Sequence, residues 1–358
     1  MRITCVVKRF DHHTASGGYD RLAAAVGANV IVHKDISGLL GKGANEIWRH
    51  LTSKENYYTD YQFVDWLSEL QALAIGFLNP PDAIHVLYNS QVGQLMKWHG
   101  LLRCPLVVTF HAPFDEPGPH RFDAYPKGLG VDAAVIIATS QRVPLQRWIE
   151  PHKIFYVPLG IDTDRFQPGG DMDLKKIRVL IVGEMWRDWL VMHRTIDAIN
   201  FRGLNVEFHV VTSERFFPYF NGCSNTVLHS QVSEDKLIDL YRSADVLFQP
   251  VTTATCNNSV VEALACGTPV ISTRTGGLPD YVTEESGWLL PAGDVAGHVD
   301  LISSLCANRE LARNRRAAAR AQALKFDWRL IAQQMNAVYV AAKRNRDSAR
   351  APERQSQR

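Results

Sequence analysis

The chain has 358 residues, 46% hydrophobic and 21% charged, which is the mix of a protein with a sizeable core and a length that suggests two or three domains. That composition excludes a wholly disordered chain, and 24 glycines with 17 prolines are too few for a collagen. With 39 Lys and Arg against 37 Asp and Glu, the net charge of +2 argues against a protein that tracks a nucleic-acid backbone, leaving a membrane surface or an anionic substrate open.

From the amino terminus, nearly continuous apolar runs at 3–7, 29–33, 83–88, 106–109 and 134–138 predict buried parallel strands. Helical patterns at 19–26, 61–78, 92–99 and 142–150 are interleaved with them, and 155–158 reads as one more short strand. Pro168, Gly169 and Gly170 mark a linker. The alternation then restarts, with strands at 178–182, 207–211, 226–229, 246–248 and 270–272 and helices at about 190–201, 233–242 and 259–266. Helices at about 309–324 and 328–343 follow. Beyond them, Lys343, Arg344, Arg346, Arg350, Arg354 and Arg358 face only Asp347 and Glu353, so a disordered basic tail is expected, either simply solvated or weakly drawn to an anionic membrane surface.

Two successive βα arrays imply an α/β fold of two Rossmann-like domains whose strand carboxyl ends face a shared cleft. The expected division is two domains at 1–167 and 168–325, a helix at 326–342, and the tail at 343–358. The six cysteines (Cys5, Cys104, Cys223, Cys256, Cys266, Cys306) contain no Cys-x-x-Cys pair, so reduced buried thiols are expected rather than a zinc or redox centre. No stretch reads as a signal peptide or a spanning helix. The expectation is a cytoplasmic protein, with peripheral contact at the inner face of the membrane left open.

The densest chemistry lies in Thr252–Val282. Asn257 and Asn258 are helix N-cap types, and the apolar run behind them stops at Gly267. The free N–H groups and dipole of such a helix suit a diphosphate. Glu262, one turn in, reads either as acceptor for the hydroxyls of a ribose or as an answer to the helix dipole. Gly17 and Gly18 follow the first strand and permit close backbone approach to a diphosphate or to a second substrate, or serve as turn glycines. Their pattern is not Gly-x-Gly-x-x-Gly, which counts against a dinucleotide-binding dehydrogenase.

The run Glu262-Ala263-Leu264-Ala265-Cys266-Gly267-Thr268-Pro269-Val270-Ile271, with Gly276-Gly277-Leu278-Pro279-Asp280 behind it, resembles the donor-binding motif of the family 4 retaining glycosyltransferases, which have the GT-B fold. The likeness extends over nearly the whole chain: the glycine loop at 8–22, the strand VVTFH ending at His111, VPLGIDTDRF at 157–166, SADVLFQP at 243–250, SGWLLPAGD at 286–294 and FDW at 326–328. It implies metal-independent transfer from a UDP- or GDP-linked sugar to a glycan, lipid-linked or small-molecule acceptor, with retention and a front-face route, and no cofactor. It also implies that His111 contacts the transferred sugar. Thr255, Asn258, Ser259, Glu262, Gly17 and Gly18 then belong to the donor, and Asp20 and Arg21 are acceptor-side candidates or solvated surface. The nucleobase is expected near 211–213 and 230–232.

Two departures stand out. Ala254 occupies the place of the family's first glutamate, so backbone amides at Asn258 and Ser259, with Thr253 and Thr255, are expected to take over its task. Gly183-Glu184 stands where the family has a glycine-arginine pair, and Arg187 is the candidate replacement cation, its alternative being a surface arginine paired to Asp188. Two other readings stay open: an epimerase or phosphorylase of the same fold, and a catalytically inactive nucleotide-sugar-binding homologue.

Overall fold

The computed structural model describes residues 1–7, 18–32, 63–88, 95–113, 130–170 and 176–355. The chain forms two compact units, one from the described segments up to and including Pro158 together with Trp328 onward, the other from Leu159–Asp327.

In the first unit, β1 (Ile3–Val7), β2 (Asn29–Val32), β3 (Ala83–Val86), β4 (Leu106–Phe110), β5 (Ala133–Ile136) and β6 (Ile154–Tyr156) form a parallel sheet in the order β2-β1-β3-β4-β5-β6. Strands β1, β3, β4 and β5 are buried along their whole length and mostly apolar because both faces are covered, whereas the edge strand β2 leaves Asn29, Val30 and Val32 exposed. The register aligns Val6, Val86, Val108, Ala134 and Ile154 in one row of the core. Helices α1 (Arg21–Ala25), α2 (Phe63–Leu78) and α3 (Arg142–Leu145) complete this part of the unit.

The second unit repeats the plan with β7 (Ile177–Val182), β8 (Val206–Val211), β9 (Thr226–His229), β10 (Val246–Gln249), β11 (Val270–Thr273) and β12 (Gly287–Leu290), all parallel, in the order β12-β11-β10-β7-β8-β9. This is the doubly wound order, and the winding reverses between β7 and β10. Helices α4 (Trp189–Phe201), α5 (Glu234–Ser243), α6 (Asn258–Ala265), α7 (Leu278–Tyr281), α8 (Val295–Ala307), α9 (Glu310–Arg313) and α10 (Arg316–Leu324) flank the sheet. Their starts are chemical: Asp188 accepts the Val191 N–H at 3.0 Å, Ser233 that of Lys236 at 3.2 Å and Asp294 that of Gly297 at 2.8 Å. Gly267, at φ 72°, ends α6 in the left-handed conformation a helix stop requires.

The expected helix at 92–99 is, over its described part, a turn followed by the 3-10 helix His99–Leu101, and the one at 142–150 is cut to Arg142–Leu145. Strand β12 and helix α8 were not anticipated as elements.

The larger correction is at the carboxyl end. Residues 343–355 are no disordered tail; they continue α11 (Trp328–Gln355), which packs on β3, β4 and β5 of the first unit. Arg346 is only 4% exposed. Its guanidinium donates to Asp132 Oδ2 at 3.0 Å, to the His99 carbonyl at 3.1 Å and to the Leu102 carbonyl. Asn345 donates to the Asp132 carbonyl at 2.8 Å, and Arg350 to that of Leu102 at 2.6 Å. Lys343 and Arg344 stay exposed, but Arg346 and Arg350 find carbonyl and carboxylate acceptors in the first unit. No helix among the described residues is long and apolar enough to cross a membrane.

Candidate active site

The carboxyl ends of β7 and β10, where the second sheet reverses its winding, are where a doubly wound sheet binds its ligand. Four side chains converge there. Gly183 (φ 86°) follows β7, and a Cβ on it would lie 2.6 Å from Arg187 Nη2, so glycine lets the guanidinium fold back over the strand end. Arg187 Nε and Nη2 donate to the Val182 carbonyl at 3.0 and 2.7 Å, and Nη1 to the Met185 carbonyl at 2.8 Å. Nη1 also donates to Asn257 Oδ1 at 3.2 Å and Nη2 to Ser259 Oγ at 3.3 Å. Gln249, fully buried at the end of β10, donates to the Val182 carbonyl at 2.9 Å and to Ser259 Oγ at 3.0 Å.

These bonds use every N–H donor that a guanidinium has. Arg187 is therefore not a surface arginine paired to Asp188, whose carboxylate instead caps α4. Burial pulls its guanidinium below the ordinary arginine range, to about 10, with Tyr241 and Glu184 acting in the opposite direction. It stays a cation at neutral pH, and all its hydrogen-bond acceptors are carbonyl, amide or hydroxyl oxygens. A buried cation without a carboxylate favours an anion beside it.

That charge sits at the amino end of α6. Val260 is the first residue whose N–H returns to the helix, bonding the Asn257 carbonyl at 3.0 Å, so the amides of Asn258 and Ser259 have no intrahelical acceptor. Asn257 occupies the N-cap position but makes no capping side-chain bond, because Arg187 holds its Oδ1. The loop before the helix is sealed: Thr253, Ala254 and Thr255 are all buried. The Ala254 carbonyl accepts the Gly277 N–H at 2.9 Å, and a Cβ on Gly276 would stand 1.9 Å from the same oxygen. Glu262, inside α6, accepts the Tyr241 hydroxyl on Oε2 at 2.8 Å, and burial raises its carboxyl to about 7 despite that bond. Glu184 accepts the Ser213 N–H at 2.8 Å and pairs with Arg215 at 2.6 Å, so it ties the turn after β7 to the one after β8.

In the first unit, His111 directly follows β4. Its Nε2–H donates to the Leu87 carbonyl at 2.8 Å, and because a carbonyl only accepts, that nitrogen carries the proton. The ring stacks on Tyr88 (centroids 4.6 Å, 29°) and meets Tyr19 edge-on (4.6 Å, 79°). Tyr19 follows Gly18 (φ 100°), and its hydroxyl lies 3.3 Å from Thr109 Oγ1, which is 2.8 Å from His85 Nε2. Asp20 and Arg21 begin α1, both part-exposed. Gly17 lies outside the described residues.

A sequence profile described as "Glycosyl transferases group 1" matches residues 176–308. The D-inositol 3-phosphate glycosyltransferase of Corynebacterium jeikeium is 34% identical over 303 residues, covering 72% of each chain. The chain belongs to the group 1 glycosyl transferases. Local matches to other curated relatives span 19% and 22% of those proteins' lengths. Among solved structures, sucrose-phosphate synthase from Thermosynechococcus elongatus superposes with a TM-score of 0.74 at 17% identity, over 94% of this chain and 98% of that one. Anabaena HepE in complex with UDP-glucose gives 0.68 at 14%, over 95% and 100%. The fold of this chain is thus GT-B.

Of the residues singled out in the sequence, the transferase brings Arg187, Asn258 and Ser259 together at one helix end. Glu262 lies within the same helix, bonded to Tyr241, and Thr255 lies in the buried loop before it. Sequence reasoning missed Gln249, and it read Asn257 only as a cap. The signal for Gln249 was a lone amide closing an otherwise apolar strand, followed by proline.

Proposed function

We propose that this chain is a retaining, family 4-type transferase that moves a sugar from a UDP- or GDP-linked donor to a glycan, lipid-linked or small-molecule acceptor, without a metal or cofactor. The observation that carries the reading is the buried Arg187 cation, with no carboxylate hydrogen-bonded to it, at the open end of α6. It supplies a counter-charge for a diphosphate at the ligand-binding end of a doubly wound sheet. HepE was solved with UDP-glucose, which supports a nucleotide-sugar donor.

In this reading the anomeric carbon–oxygen bond to the diphosphate breaks and a bond to the acceptor hydroxyl forms on the same face. The acceptor proton passes to the departing phosphate oxygen. The protein's task is to stabilise the charge that develops on the leaving group and to hold the two substrates in place. The first amides of α6 and the Arg187 charge serve the diphosphate, Glu262 the ribose hydroxyls, and His111 the transferred sugar. Thr255 lines the donor loop, Gly17 and Gly18 allow backbone approach, and Asp20 and Arg21 contact the acceptor.

Transfer assays with UDP- and GDP-sugars against an acceptor panel test the reading. His111→Ala is expected to lower kcat about tenfold or more with nucleotide affinity nearly unchanged, and Glu262→Ala to weaken nucleotide binding about tenfold. Unchanged kinetics in both variants would remove the site assignment. A second reading, nucleotide-sugar binding without turnover, is favoured by Ala254 alone, and nucleotide binding without transfer to any acceptor would establish it.

A further inference from the structure

We infer that Arg187 sets the hydrogen-bond polarity of Asn257 and Ser259, so that both side chains offer donors to a phosphoryl oxygen of the nucleotide. This rests on the reading of the α6 amino end as a diphosphate site and names the groups there that bind it.

The argument is one of donor accounting. A guanidinium nitrogen and an amide nitrogen can only donate. Ser259 Oγ therefore accepts from Arg187 Nη2 at 3.3 Å and from Gln249 Nε2 at 3.0 Å, which fills both lone pairs of the hydroxyl. Its own proton must point to another acceptor, and among the described residues there is none. Gln249 cannot turn round to offer one. Its Oε1 takes the Val182 N–H at 3.4 Å while Nε2 holds the Val182 carbonyl at 2.9 Å.

Asn257 is fixed in the same way. Arg187 Nη1 requires an acceptor, so Oδ1 faces the guanidinium at 3.2 Å and the NH₂ group turns away from it. That nitrogen is buried and has no partner among the described residues. A buried donor left without an acceptor costs free energy in the empty protein and recovers it when a ligand arrives. Ser259 itself is 5% exposed and Arg187 8% exposed.

Two oriented donors beside a cation with no carboxylate hydrogen-bonded to it call for a ligand with several acceptor oxygens and negative charge. A phosphoryl group has both, whereas a neutral carbonyl would leave the cation uncompensated. Arg187, its own donors all engaged, touches no ligand. It is a positioning residue that acts through its two neighbours.

The test uses the full chain with UDP, GDP and uridine, read by calorimetry for the nucleotides and ligand-observed NMR for the nucleoside. Ser259→Ala and Asn257→Asp are each expected to weaken UDP about tenfold or more and to leave uridine within about twofold. Arg187→Lys keeps a charge but not the planar fork, and is expected to lose UDP affinity similarly, with uridine unchanged and a cooperative melt retained. A purely structural role for Arg187 would lower both ligands together. UDP binding within about twofold of the wild type in Ser259→Ala and Asn257→Asp overturns the donor assignment while leaving the diphosphate site standing. Full UDP affinity in Arg187→Lys overturns the polarity argument. A wild-type chain that binds neither UDP nor GDP removes the site and the inference together.

Discussion

Glu262 is a carboxyl group that water barely reaches, 4% exposed and bonded to a tyrosine hydroxyl that is itself fully buried. Burial lifts it from 4.5 to about 7, against the pull of Tyr241 and with Glu234 adding to the rise. The folded state therefore keeps a proton that the unfolded chain releases between those two values. Stability then falls as pH rises through that window, by about 3 kcal/mol in all, and is fully restored below the lower value. Glu262→Gln, uncharged throughout, is expected to flatten the dependence. Denaturant unfolding of both proteins from pH 4.5 to 8 checks it, and parallel curves would show that the carboxyl ionises freely. At this scale only part of the site was legible. The Arg187 cation could be proposed as the cation nearest to Gly183-Glu184, where the resembled family has its glycine-arginine pair, but its burial and its bonds to Val182, Asn257 and Ser259 depend on a backward fold of the chain at Gly183. Nothing in the residue order carries that.

Among the elements, what local chemistry dictates was readable. The apolar runs of β1, β4, β7 and β10 and the Gly267 stop all follow from short stretches. Strand β12 did not, because it is an edge strand of four residues, Gly287–Leu290, with three of them part-exposed, and so lacks the fully apolar signature of its neighbours. The donor loop is likewise held from outside itself. Gly276 presses its backbone against the Ala254 carbonyl, a contact between stretches 22 residues apart in sequence (276 − 254). This distinguishes two glycines of similar φ. At Gly27 (φ 64°) a Cβ meets nothing within 4 Å, whereas at Gly276 (φ 53°) it meets backbone. Gly27→Ala is expected to cost about 1 kcal/mol, the strain of a left-handed alanine alone. Gly276→Ala is expected to cost about 2 kcal/mol more and to weaken UDP binding, since the loop before α6 must move. Denaturant midpoints and UDP calorimetry on the two variants separate the effects, and equal losses would mean that the Ala254 contact does not hold the loop.

On the scale of the whole molecule, the chain's last helix belongs with its first sheet. Tyr339 reaches His85 on β3 at 2.9 Å, and burial, with His111 nearby, lowers the His85 imidazole to about 3, so it remains a neutral link between Tyr339 and Thr109. Farther along, Arg346 meets Asp132 at the entry to β5, the partners 5% and 2% exposed. Composition counted that stretch as a solvated tail because the acceptors of its cations lie more than two hundred residues earlier, as with Arg346 and Asp132. Removing Arg346 leaves Asp132 buried with His99 Nε2 at 2.8 Å and the Leu106 N–H as its remaining side-chain partners, which costs about 2 kcal/mol. Arg346→Ala is therefore expected to destabilise the first unit selectively. Hydrogen exchange measured peptide by peptide should show faster opening of β4 and β5, whose Leu106 N–H is itself bonded to Asp132 Oδ2 at 2.8 Å, while β7 and β8 keep their protection. Equal loss in both sheets would mean that the units open as one body. No change at all would mean that the helix end is held by Tyr339 and its apolar neighbours alone.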